Sequence, residues 1–183
     1  MWEDPQISEA APRFGFLTHD PGSNAPHPRL HAAFETWIRA PNVDGIALRR
    51  EISIESVRDA IGHVGIADVL PDGTFRYRLF GSSLVAALGY DATGWLTSAL
   101  RPPAYAEMVT TQYRAVIAAR RPLLHEIRTS RHDMKDIRYF RLTAPLTLGS
   151  GRIDQLWMTV AMIGSFGKEV FMPEDRAFLS LED

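Results

Sequence analysis

Six histidines, two arginines and a few isolated acids are the residues of this chain whose types and spacing could do chemistry. His27 and His31 stand four apart, as two metal ligands on one helical face would, but the glutamate of a zinc-protease helix is missing between them. His63 and His125 fall on expected strands, and His132 sits beside Asp133 in a polar turn; none has metal-ligand spacing. His125 with Glu126 or Asp133 is the one local acid–base candidate. Arg76 and Arg78 flank Tyr77 and could clamp a carboxylate or phosphate. They read better as an exposed strand face paired with nearby acids, since surface arginines on strands are common. Asp91 could contact a ligand or cap its own turn. Ser82 and Ser83 follow Gly81 outside any G-x-S-x-G elbow and suit a helix start. Gly149-Ser150-Gly151 is too short for a phosphate loop and reads as a hairpin turn.

Composition narrows the classes further. The chain has 183 residues, 45% hydrophobic and 23% charged, which fits one domain with its own core. A net charge of -2 gives no electrostatic case for nucleic acid or an anionic membrane. Cysteine is absent, which excludes disulfides, thiolate metal sites, thiol catalysis and sulfur-tethered chromophores. The start, Met1-Trp2-Glu3-Asp4-Pro5, is acidic and has no apolar run behind it, and no stretch approaches the ~20 apolar residues of a membrane span. A cytoplasmic location is the expectation.

The elements that must position these residues follow from periodicity. Residues 1–27 carry Pro5, Pro12, Pro21 and Pro26 and read as an extended or mobile arm anchored by Phe14, Phe16 and Leu17. A helix begins at Pro28, with Leu30, Phe34, Trp37 and Ile38 on one face, and ends before Pro41. Residues 42–52 read as loop, followed by a short helix carrying Ile54, Val57 and Ala60. Residues 62–80 make a hairpin turning at Leu70-Pro71-Asp72-Gly73, with Phe75, Tyr77 and Leu79 facing one way and Arg76, Arg78 and Phe80 the other. A short helix from Ser82 stops at Gly89, and a longer one carries Tyr105, Met108, Gln112, Tyr113, Val116 and Ile117. Three strand-like runs, 123–129, 137–148 and 155–166, and a C-terminal amphipathic helix at 171–183 complete the chain. The fold class is α+β: a five-stranded antiparallel sheet with helices on one face, preceded by an N-terminal helix. Residues 28–170 form the domain.

The run Phe75 to Gly94, FRYRLFGSSLVAALGYDATG, carries a resemblance. The element order, the Gly89-Tyr90-Asp91-Ala92-Thr93-Gly94 turn, the helix with Trp37 and the late strand proline Pro145 resemble the PAS domain, in particular short stand-alone bacterial PAS proteins. The resemblance covers roughly residues 28–165 and implies a small-ligand pocket between helices and sheet. Leu84, Leu88, Trp95, Leu100, Met108, Val116 and Ile117 would form its helical wall, and Phe140, Leu142, Met158, Val160 and Met162 the strand side. Haem-binding relatives place a histidine on the long helix, and residues 104–119 contain none, which argues against haem; the missing cysteine excludes covalent flavin.

The function implied is a non-enzymatic sensory or protein-interaction module, with a small apolar or amphipathic ligand in that pocket and output through an unidentified signalling protein. A homodimer through the N-terminal helix and arm is expected, because an amphipathic helix outside the core needs cover for its apolar face. The alternatives are a small α+β-cone enzyme with a polar pocket and an interaction domain with a filled core.

Overall fold

The computed structural model describes residues 13–22, 25–53, 55–131 and 134–162. The elements run β1 (Arg13–His19), α1 (Pro28–Arg39), β2 (Asn42–Val43), β3 (Ile46–Leu48), β4 (Val64–Val69), β5 (Phe75–Phe80), α2 (Ser82–Leu88), α3 (Pro103–Ala119), β6 (Leu123–Arg131), β7 (Met134–Thr147) and β8 (Gln155–Met162). Three short 3-10 segments lie at Arg49–Glu51, Glu55–Ala60 and Thr97–Ala99. Among the described residues, no helix is long and apolar enough to cross a membrane. The expected C-terminal helix at 171–183 and the first twelve residues of the arm lie outside the described residues.

One sheet in the order β1-β6-β7-β8-β4-β5 organises the molecule. Its last five strands are those expected, and the α+β class with helices against an antiparallel sheet holds. The strand count differs, at eight among the described residues. Residues 13–19 of the arm pair antiparallel with β6, from Arg13 opposite Ser130 to His19 opposite Leu124. The expected loop at 42–52 holds the β2–β3 hairpin, and β3 runs parallel to β7 at its end. The turn after β7 is also longer than a tight hairpin: residues 147–154 form it, held by the Asp154 carboxylate, which accepts from Leu148 N at 2.8 Å.

Both faces of the sheet are covered. α2, α3 and the 97–99 segment pack on the inner face around Phe75, Tyr77, Leu84, Val109, Tyr113, Ile127 and Leu156. α1 packs on the outer face, where Leu30 and Ala33 meet Leu124, Phe140, Leu142, Trp157 and Ala161. Of the expected apolar stripe, Leu30 is buried on the chain's own sheet, Phe34 and Trp37 pack partly against it, and Ile38 is 52% exposed. His27 caps α1 by accepting from Arg29 N at 3.1 Å, with Pro28 in the first turn. Trp37 Nε1 donates to the Pro145 carbonyl at 2.7 Å, tying the helix to β7.

β5 breaks the expected alternation near its end. Phe75 and Tyr77 are buried and Arg76 and Arg78 exposed, but Leu79 is 46% exposed and Phe80 is buried. A bulge in the pairing with β4 puts Ile66 opposite Leu79 and Ala67 opposite Tyr77. Arg78 is the extra residue, and every side chain beyond it changes face.

Candidate functional site

The site is built outward from Arg141 on β7. Its side chain is 2% exposed and points to the inner face. Nη1 donates to Gln112 Oε1 of α3 at 2.7 Å, and Nη2 donates to the Tyr105 hydroxyl at 2.8 Å. The guanidinium lies 5.8 Å from the Tyr105 ring centroid and 5.9 Å from that of Tyr139. Among the described residues, no carboxylate pairs with it. A guanidinium keeps its charge even here, so a buried cation stands without a counter-charge.

Its neighbours are polar and neutral. His125 on β6 lies directly opposite Arg141 and is fully buried. Burial, with the Arg141 charge second, pushes the imidazole down to about 3, so it is neutral. Burial raises the phenols of Tyr77, Tyr113 and Tyr139, which keeps them protonated. Tyr77 and Tyr113 share a 3.1 Å hydroxyl contact, and the Tyr113 hydroxyl reaches Met158 Sδ at 3.0 Å. β1 roofs the cluster: Phe14 tilts against Tyr105 at 5.6 Å, and Phe16 meets His125 edge-on at 5.5 Å.

A cavity of about 30 Å³ adjoins Arg141. Phe80, Leu84, Leu88, Tyr105, Tyr139, Met158, Val160 and Met162 line it. Of the residues expected at the pocket, Leu84, Leu88, Met158, Val160 and Met162 come together here. Met108 and Val116 are buried in the same core, and Ile117 packs at its edge. Trp95 also packs, half-buried, against this core and stacks on Tyr90 at 5.1 Å between ring centroids. Phe140 and Leu142 lie on the opposite face, under α1, the reverse of the expected register. The reason is that β7 is buried on both sides, so its polar–apolar alternation does not mark the core. Helical spacing marks Tyr105 and Gln112 as part of the α3 stripe, and His125 stands out as a titratable group, but nothing in the spacing marks Arg141.

The polar candidates lie elsewhere. Arg76 is exposed and bridges through its backbone to Leu96. Arg78 Nε donates to Asp68 at 2.9 Å on the surface. Asp91 Oδ1 accepts from Thr93 N at 2.8 Å and caps its turn, and those bonds lower its carboxyl. His125 and Glu126 face opposite sides of β6 as strand neighbours must. Glu126 instead gathers Arg128, Arg138 and His19 at 2.8, 2.9 and 3.0 Å. Among the described residues, no group of histidines and acids could hold a metal ion.

A second, larger concavity of about 360 Å³ opens on the outer face between Arg49, Val57, Ile61, Ile66, Leu79 and Trp157. The bulge that turns Leu79 outward helps to form its wall. An isoalloxazine ring system does not fit the 30 Å³ inner cavity, and the sequence has no thiol for a flavin adduct.

Several solved structures are similar to this chain, among them the three that follow. One, described as a flavin analogue study of the light-oxygen-voltage domain mechanism, is 15% identical and covers 69% of this chain and 90% of its own, with a TM-score of 0.46. The light state of the blue-light photoreceptor Aureochrome1 LOV is 17% identical over 62% and 90%, with a TM-score of 0.43. An RNA-binding light-oxygen-voltage receptor is 18% identical over 84% of this chain and 40% of its own, with a TM-score of 0.48. No curated protein matches the chain. A family model described as PAS domain matches residues 25–158, well over half of the sequence, and the chain belongs to the PAS domain family, a family of sensory and signalling modules.

Proposed function

We propose that this chain is a non-enzymatic sensory module whose state depends on a small ligand held between α3 and the inner face of the sheet, at Arg141. The observation that supports this reading is the bridge from Arg141 on β7 to Gln112 and Tyr105 on α3, at the wall of a cavity. A ligand reaching that cavity meets the group that ties helix to sheet. It can then bias the position of α3 through differential contacts. The apolar remainder of the wall, Leu84, Leu88 and Val160, suits an occupant that is small and at most partly polar. Output passes to another protein. The acid–base pair an enzyme would need at His125 and Glu126 is split across the sheet, which favours the sensor.

Native mass spectrometry of the full chain as purified, coupled to hydrogen exchange across α3, tests the reading. A retained small molecule whose removal speeds exchange in 103–119 supports it. A bare chain whose α3 exchange no added ligand alters overturns it.

A further inference from the structure

Resting on that ligand-gated reading, we infer that the Arg141 site takes a small planar oxyanion of the formate, nitrate or bicarbonate class. The first ground is charge. Arg141 is fully buried, and the groups packed around it from every element are neutral: Tyr105, Tyr113 and Gln112 from α3, His125 from β6, Tyr139 from β7 and Tyr77 from β5. A buried cation without a partner is costly, and an anion of the same size as the space beside it removes that cost.

The second ground is unsatisfied hydrogen bonding. Arg141 Nε and the Tyr139 hydroxyl are buried without a hydrogen-bond partner, and both side chains line the cavity. Both groups can donate. A donor-rich set calls for an acceptor-rich guest.

The third ground is shape and size. Nη1 and Nη2 each spend one hydrogen on the protein, and Nε–H is unspent. Nε–H with the second hydrogen of one Nη forms the fork that grips a planar oxyanion through two oxygens. A cavity of about 30 Å³ has room for about two waters, which is also the room a three- or four-atom anion needs.

The test is thermal denaturation of the full chain titrated with sodium formate and with sodium nitrate at fixed ionic strength, with formamide as the neutral counterpart of formate. The inference expects a saturable rise of about 5 °C with formate or nitrate and none with formamide. Gln112→Glu, nearly isosteric, sets a carboxylate against Nη1. It is expected to melt higher than the parent without added anion and to lose the response. A flat titration in the parent overturns the inference, as does an unchanged response in Gln112→Glu, which would place the anion elsewhere. If the purified chain retains a neutral or larger molecule while the anions do nothing, the oxyanion falls and the sensor reading stands. If it retains nothing and nothing alters α3, both fall.

Discussion

Arg141 on β7 and Gln112 on α3 are both fully buried and share a 2.7 Å hydrogen bond across the gap between sheet and helix. Gln112 supplies the one carboxamide acceptor of that guanidinium, and its own nitrogen is left over. Helix and sheet are thus joined by a charged donor and a neutral acceptor, not by apolar packing alone.

Breaking that pair from either side has unequal consequences. Gln112→Leu strands a buried charge and is expected to cost about 2–3 kcal/mol. Arg141→Met removes the charge and keeps an apolar chain of similar reach, so its cost is expected to be about 1 kcal/mol or less. The double variant should fall near Arg141→Met alone, since Gln112→Leu harms only in the presence of the guanidinium. Urea denaturation of the four proteins checks this, and additive costs would show that the bond does not couple helix to strand.

The neutral state of His125 sets a pH dependence. Its native value of about 3 is below its ordinary 6.5, so the unfolded chain binds the proton more readily. The stabilisation is complete above about pH 6.5 and is lost as pH falls toward 3, at up to about 1.4 kcal/mol per pH unit. Glu126 is also lowered: burial acts to raise it, and the Arg128 and His19 hydrogen bonds with the Arg138 charge outweigh that. It adds its loss only below the ordinary carboxylate range, which leaves pH 4.5–6.5 to read His125. His125→Phe should flatten the stability profile in that window. An unchanged slope in equilibrium unfolding at pH 6.5, 5.5 and 4.5 would count against a buried neutral imidazole.

The bulge in β5 makes a third prediction, opposite to what strict alternation implies. Leu79 stands outward at 46% exposure and Phe80 is buried in the inner core. Leu79→Thr is expected to cost under about 1 kcal/mol and Phe80→Ala about 3–5 kcal/mol. Chemical denaturation separates the two, and a larger cost at Leu79 would remove the bulge.

Much of the scaffold was legible because local signals agreed with the packing. Pro28 and Pro41 bracketed α1, and Gly89 adopts the left-handed conformation that ends α2. Trp37 and Pro145, noted separately in the sequence, meet through one hydrogen bond. The losses have physical causes. Phe14 and Phe16 alternate as strand residues should, but flanking prolines and Gly15 made the segment look like an arm, and only its pairing with β6 reveals a strand. β7 is covered on both faces, so Phe140 and Leu142 gave no sign of which side was the pocket. Arg141 resembled any surface arginine until α3 was laid over it.

The last prediction uses two glycines to separate the fold from its cavity. A Cβ on Gly81 would lie 2.2 Å from the Gly62 carbonyl oxygen, a backbone atom that also accepts from Ser83 N and Leu84 N at the start of α2. Gly81→Ala cannot be absorbed there and is expected to cost about 3 kcal/mol or more. A Cβ on Gly65 meets Met158, whose flexible end can swing away. Met158 lines the inner cavity and accepts from the Tyr113 hydroxyl. Its displaced methyl has that cavity to enter. Gly65→Ala is therefore expected to fold at a cost of about 1–2 kcal/mol while filling the space beside Arg141. Thermal denaturation with and without formate measures both effects in one experiment. Retention of the full anion response in Gly65→Ala would show that the responding site is not the cavity Met158 borders.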